Sequence, residues 1–297
     1  MRVCGICFWG YRVLSIDYLV VGHVTRDLSS AGGFTLGGTV TYSARTALAL
    51  GCNVAVVTSI ASGLDVSVPL AGSHVIWVPA DETTTFENIY KPTGRQQFIH
   101  SVAAPLGLEA VPQAWRRPHI VHLAPVAGEC DIVLAGAFPE ALVCVTPQGW
   151  MRSWEAEGHV HATDWPEAEL LLPQVSAAVI SREDAGGDDG MILRLARLVP
   201  ILVVTLGPEG CDVYVDGHKH HVPVTPADEV DATGAGDIFA TAFFVRLHQC
   251  RNPVAAARFA NRVAALSVSA GGGQGTPTPE AMAQIRREGS RERLGDH

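Results

Sequence analysis

The chain has 297 residues, 47% apolar and 17% charged, which is enough to bury a substantial core and too apolar for a disordered segment. Its net charge is −9, and its only lysines are Lys91 and Lys219, neither of which follows a GxxxxG turn. A nucleic-acid surface, which needs grouped cations, and a P-loop are therefore both excluded.

The N-terminal stretch 1–15 has an apolar core of only 3–9 followed by Arg12 and no small-residue cleavage site, so no signal peptide is expected. Cys4 and Cys7 have redox or metal spacing, but no second pair follows and no role is assigned to them. The seven cysteines are scattered, several inside apolar runs, as small buried hydrophobes are in a reducing compartment; a cytoplasmic location is expected. Residues 16–22 read as a buried first strand, 39–50 as a helix stopped by Gly51, and 53–59 as a second strand. The uncharged run 46–64 has the length of a membrane helix, but Gly51-Cys52-Asn53 divides it into a helix end and a strand.

Residues 81–100 alternate partly around the turn Lys91-Pro92-Thr93-Gly94 and are expected to form a hairpin that acts as a lid. Apolar runs at 119–123, 141–145, 177–180 and 201–206 suit strands covered on both faces, with helix-like segments between several of them. The fold class is therefore α/β, a mostly parallel sheet with helices on both sides. One domain over 1–297 is expected, with lid segments near 28–36 and 82–101. His218-Lys219-His220-His221 is read as an exposed hairpin, because neighbouring residues on a strand point to opposite faces and no acidic or cysteine cluster accompanies them.

The stretch Asp231-Ala232-Thr233-Gly234-Ala235-Gly236-Asp237 runs into the apolar segment 238–244. A glycine-rich turn opening a helix aims free N–H groups and the positive end of the helix dipole at an anion. A carboxylate beside such a turn points to chemistry, since Asp237 can take the proton of a substrate hydroxyl while the amides of Ala235, Gly236 and Asp237 hold a transferring phosphoryl group. A carboxylate of ordinary basicity suffices for this in a loose transition state. Dinucleotide binding fits less well, since GxGxxG would need Gly or Ala at Phe239.

Residues 231–237 resemble the C-terminal signature of the ribokinase-like (PfkB) family of small-molecule kinases, nearest in pattern to its inositol kinase branch, and other segments agree in order over nearly the whole chain. The resemblance implies a three-layer αβα fold with a small β-lid, ATP and Mg²⁺ as cofactors, and a monovalent cation such as K⁺ beside Asp231. It makes Asp237 the catalytic base, with Gly234, Ala235 and Gly236 as the anion turn. Asp27 would grip substrate hydroxyls, and Gly37, Gly38, Thr39 and Tyr42 would border the acceptor. Tyr42 stands where the family often has Asn. Thr146-Pro147-Gln148-Gly149-Trp150-Met151-Arg152 takes the place of the family's Asp-Pro-Asn-x-Arg segment, with Thr146 and Gln148 substituted and Arg152 near phosphate.

Ser181 and Asp184 stand where the family has Asn-x-x-Glu, so that Asp184 would order hydrated Mg²⁺ through water. Thr205, Gly207 and Gly210 match its nucleotide-phosphate loop, and Asn261 the border of its adenine pocket. The implied activity is ATP-dependent phosphorylation of a small polyol, a sugar or a cyclitol such as inositol, with a homodimer through the lid also open. A nucleoside kinase, and a sugar- or nucleoside-sensing protein without catalysis, are the alternatives. No nucleic-acid or membrane partner is expected.

Overall fold

The structure, a computed structural model, describes residues 15–29, 32–91, 94–224, 232–269 and 283. The chain begins its sheet at β1 (Tyr18–Val21), four residues that are all buried. Because successive side chains of a strand point to opposite faces, Tyr18 and Val20 join one core and Leu19 and Val21 the other. The same division holds for β4 (Val54–Ala61), where Val54 and Val56 face one layer and Ala55 and Val57 the opposite one.

The first core packs against α1 (Thr39–Ala49), α4 (Ala235–Cys250) and α5 (Pro253–Val268). The second is covered by α2 (Ala168–Leu171), α3 (Asp189–Leu198) and the short 3-10 turns between strands. These three layers make the α/β architecture expected from the apolar runs.

The remaining strands of the large sheet are β5 (His74–Ala80), β8 (Ile120–Leu123), β9 (Leu142–Val145), β12 (Ala177–Ser181), β13 (Ile201–Thr205), β14 (Cys211–Val215) and β15 (His218–Val222). Their order is β15-β14-β13-β12-β9-β8-β1-β4-β5. From β13 to β5 all neighbours pair in parallel, and the β14–β15 hairpin is added antiparallel at one edge. The polar tract at 218–221 is this edge strand, where Asp212 on β14 binds Lys219 Nζ at 2.6 Å and His221 Nδ1 at 2.9 Å. Charged, exposed side chains on an edge discourage pairing with another chain.

A second sheet holds β2 (Thr25–Leu28), β3 (Phe34–Gly37), β6 (Thr85–Lys91) and β7 (Gly94–Ser101) in the order β3-β2-β6-β7. Asp27 therefore lies on a strand of this sheet and not in a turn. A small hairpin, β10 (Arg152–Trp154) and β11 (Val160–Ala162), reaches β7 through a backbone bond from Ile99 N–H to Gly158 O at 2.8 Å. Strand β5 is absent from the sequence reading, and the segment between β8 and β9 is spanned by a 3-10 turn at Ile132–Gly136. Cys4, Cys7, Pro92, Thr93 and Asp231 lie outside the described residues.

Helix α4 is apolar nearly all round, with Ile238, Phe239, Phe243, Phe244 and Leu247 buried between the sheet, α1 and α5. Each such side chain stabilises the fold by about 1.5–3 kcal/mol. The helix ends at Arg251, whose φ of 54° turns the chain, and Asn252 then caps α5 by accepting from Ala255 N–H at 3.0 Å. Burial along α4 sets its first turn, with Asp237, at the carboxyl ends of the parallel strands.

Candidate active site

In open parallel sheets, ligand sites lie beyond the carboxyl ends of the strands. Here Thr146, which follows β9, and Ser181 and Thr205, which end β12 and β13, border a cavity of about 90 Å³ together with Thr39, Asp184 and Asp237. Asp237 is in the first turn of α4, behind Gly234, which takes the left-handed φ of 75° that favours glycine. A side chain at 234 would also collide with Tyr42, whose Cδ1 lies 2.5 Å from the position of a Cβ. Tyr42 is thus packed on the glycine turn.

Burial pushes the Asp237 carboxyl up from 3.8 to about 7; the negative charges of Asp184 and Asp27 act in the same direction, while a hydrogen bond from Thr39 and the charge of Arg152 oppose it. The side chain is walled in by protein atoms but keeps some surface on the cavity, and water there moderates the push without reversing it. The expectation of ordinary basicity is therefore corrected: before ligands bind, this carboxyl titrates near neutrality.

One further correction concerns the amides of the turn. Ala235 N–H donates to Ala232 O at 3.1 Å and is engaged within the turn, whereas a Cβ at Gly236 would meet nothing within 4 Å. That open space is where an anion can approach the helix end.

On the small sheet, Thr25 Oγ1 donates to Asp27 Oδ1 at 3.3 Å, and burial raises the Asp27 pKa. A Cβ at Gly37 would sit 2.2 Å from Asp27 Oδ2, so glycine is required for the carboxylate to lie across the strand. Gly38 precedes α1 with φ 85°, and a Cβ there would lie 2.5 Å from His23 O. Thr39 is thereby brought to the Asp237 carboxyl. A polar cavity of about 170 Å³ adjoins this region, bordered by Gln96, Gln97, Arg152, His159, His161 and Asp184.

Ser181 and Asp184 bond reciprocally: Ser181 N–H donates to Asp184 Oδ2 at 2.9 Å, and Asp184 N–H to Ser181 Oγ at 2.9 Å. Gln148 Nε2 donates to the other Asp184 oxygen at 3.1 Å. Thr205 and Gly236 border both the small cavity and a larger one of about 350 Å³. The larger cavity is lined by Gly207, Gly210, Phe239, Asn261, Ala265 and Val268 among others, mostly apolar. Gly210 has φ 95°, and a Cβ there would meet Val222 O at 2.3 Å. Asn261 uses its amide to bond Val222 O at 3.0 Å and Pro223 O at 3.3 Å, fastening α5 to the end of β15 at the cavity wall.

Sequence reasoning passed over Phe239, Ala265 and Val268; the small and apolar residues spaced along α5 around Asn261 were the available signal. It treated Thr146 and Gln148 only as substitutions, yet both border the small cavity.

Among the described residues no group of three or more His, Cys, Asp or Glu side chains could hold a metal ion directly. The Asp184 carboxylate, with both oxygens already accepting hydrogen bonds, fits an outer-sphere role through water, which suits Mg²⁺. Among the described residues no helix is long and apolar enough to cross a membrane.

Residues 177–281 match the model of the pfkB family carbohydrate kinases. The inositol 3-kinase of Zea mays is 34% identical over 159 residues, 51% of this chain and 40% of that protein. The chain spans less than two thirds of the length of the curated relatives it matches first.

The structure of a pyrophosphate-dependent myo-inositol-1 kinase converted by mutation into a myo-inositol-3 kinase superposes with a TM-score of 0.77 at 22% identity, covering 91% of this chain and 99% of that one. Arabidopsis thaliana ribokinase, complexed with ribose and ATP, superposes with a TM-score of 0.71 at 19% identity, covering 92% and 99%. By sequence this chain resembles the pfkB carbohydrate kinases, inositol kinases among them, and by fold it is similar to the ribokinases.

Proposed function

We propose that the protein transfers the terminal phosphoryl group of ATP to a hydroxyl of a small polyol, a sugar or a cyclitol such as inositol. The observation that carries this reading is Asp237, a carboxyl raised to about 7 beside the open face of Gly236, in a cavity that continues into one of nucleotide size. The acceptor hydroxyl loses its proton to an Asp237 oxygen as its own oxygen bonds to the terminal phosphorus. The bond from that phosphorus to the bridging oxygen breaks, and ADP leaves. A base with a pKa near 7 is well matched to this proton transfer at neutral pH.

Asp27 orients the acceptor, and the polar cavity beside Gln96, Gln97 and His161 supports a hydroxyl-rich molecule over one needing an aromatic stacking face. The sheet of β2, β3, β6 and β7 acts as a lid that excludes water from the transfer. Mg²⁺ on the ATP phosphates would neutralise their charge, with Asp184 ordering its water shell and Arg152 close by. The related pyrophosphate-dependent enzyme raises the question of the donor. The apolar cavity of about 350 Å³ favours a nucleotide, because bare pyrophosphate has no use for apolar walls.

The test is release of ADP from ATP, or of phosphate from pyrophosphate, across inositols, pentoses, hexoses and nucleosides. Acceptor-dependent ADP release with an inositol or sugar is expected. Turnover with nucleosides alone, or none with any acceptor, would remove this reading.

A further inference from the structure

Thr146 borders the small cavity beside Asp237, and its hydroxyl is held from beneath by His122, whose Nε2 lies 2.8 Å from Thr146 Oγ1. His122 is on β8 and fully buried; its Nδ1 lies 2.8 Å from the hydroxyl of Tyr18 on the adjacent strand β1. Burial lowers the imidazole pKa to about 3, so the ring is neutral at any working pH and carries one N–H.

Bond lengths decide which nitrogen carries it. Tyr18 has a single proton to give, and of the other hydroxyls beside it Thr241 Oγ1 is 3.4 Å away, outside the normal O–H···O range, and Ser43 Oγ has no hydrogen-bond partner. Thr241 cannot reverse that bond, because its own proton goes to the Asp237 carbonyl at 2.9 Å. The Tyr18 proton therefore belongs to His122 Nδ1, which leaves the hydrogen on Nε2 to be donated to Thr146. Thr146 then accepts from below and has its own proton left for the cavity.

The carboxylates that share the cavity already have donors: Asp237 has Thr39, and Asp184 has Ser181 and Gln148. Among the described residues Thr146 Oγ1 has no side-chain hydrogen bond besides that to His122, so its proton is open to a ligand in the cavity.

We propose that Thr146 donates a hydrogen bond to a phosphoryl oxygen of the bound donor, and that His122 is the residue that positions it, its tautomer set by Tyr18. The proposal rests on the reading of this cavity as the place of a phosphoryl group. A directed chain, Tyr18 to His122 to Thr146, delivers one donor at a fixed angle without a charge that a substrate proton could reach.

Two measurements test it. Long-range ¹H–¹⁵N spectra of the full chain labelled at histidine should show His122 as the Nε2–H tautomer, unchanged between pH 5 and 8; the Nδ1–H tautomer would overturn the proposal. Calorimetric affinity for a non-hydrolysable ATP analogue with Mg²⁺ should fall about 10- to 100-fold in Thr146→Val, the worth of a hydrogen bond to a charged oxygen, and return in Thr146→Ser. Equal affinities in wild type and Thr146→Val would overturn it. His122→Phe should weaken binding similarly, and the double variant should be no weaker than either single one; independent, multiplying losses would show that His122 does not act through Thr146.

Where His122→Phe does not fold, Tyr18→Phe replaces it, with loss of the Nε2–H tautomer as the expected result and its retention as the refuting one. A wild-type chain that binds the analogue but phosphorylates no acceptor would remove the proposed function and leave this inference standing.

Discussion

Asp237→Asn should make the ligand-free protein more stable at alkaline pH while removing its phosphoryl transfer. The native fold raises this carboxyl from 3.8 to about 7, mainly by burial, so the fold favours the protonated form. Between those two values the native state holds a proton that the unfolded chain has released, and stability declines as pH rises through the window. The group's contribution is most favourable below 3.8 and fully lost above 7. The whole shift is worth a ceiling of ~4 kcal/mol. Since the side chain keeps some surface on the cavity, about 1–2 kcal/mol is the figure to expect.

Asparagine has nearly the same shape without the charge, so at pH 8 the variant should melt roughly 2–6 °C above wild type, and at pH 4 the two should coincide. Thermal and urea unfolding without nucleotide, at both pH values, supply the comparison. Activity should fall by about 10²–10⁴-fold, as for loss of a general base. A variant that is less stable than wild type at pH 8, or equally stabilised at both pH values, would refute the argument that the fold holds this carboxylate against its own preference for water.

Other outcomes follow from the same geometry. In wild type, kcat/KM should decline as pH falls through about 7, because Asp237 must be ionised to accept a proton; a flat profile down to pH 5 would contradict this. Gly236→Ala has no steric partner in the fold and should hold or raise Tm, by up to ~1 kcal/mol of helix propensity, while weakening ATP binding measured by calorimetry. Ala265→Phe should fill the larger cavity and raise KM for ATP at least ~10-fold without lowering Tm; no change would argue that the adenine does not bind there. Gly37→Ala forces Asp27 to move, since a Cβ would lie 2.2 Å from its Oδ2, and should raise the acceptor KM with little effect on that of ATP.

The glycine turn and the helix behind it were legible because the signal is local: two glycines, a carboxylate and an unbroken apolar run. The inner strands were legible because burial on both faces leaves nothing but apolar residues in β1, β8, β9, β12 and β13, apart from Tyr18, His122 and the polar residues that end β12 and β13. Strand β5 was not, since His74–Ala80 is only partly buried, with Trp77 and Pro79 breaking any alternation. The hairpin of β10 and β11 is polar and three residues per strand, too short for a period to register. The pKa of Asp237 was out of reach for a different reason: it is set mainly by burial, and then by Thr39, Asp184, Arg152 and Asp27, which the fold brings together from separate segments. His122 likewise reads as one polar residue in an apolar strand until Tyr18 and Thr146 are placed on either side of it.

How the small sheet is joined to the large one bears on what such a lid can do. His23, between β1 and β2, is fully buried, and its Nε2 must donate to Ala104 O at 2.8 Å, since a carbonyl only accepts. Its Nδ1 lies 2.7 Å from Thr84 Oγ1, just before β6, while Thr84 accepts from Ala103 N–H just after β7. The chain crossings at 23, 84 and 103 between the sheets therefore converge on one side chain. Its own backbone N–H is bound by Glu129 Oε1 at 2.8 Å, a carboxylate that also accepts from the amides of Val126 and Ala127.

A buried junction with its polar groups so fully paired resists bending, because each broken bond would leave an unpaired group in a dry environment. Asp27, on β2 a few residues along from His23, therefore leaves this junction directly. Under the proposed function, this junction would hold Asp27, the residue proposed to orient the acceptor, steady while the small sheet covers the site.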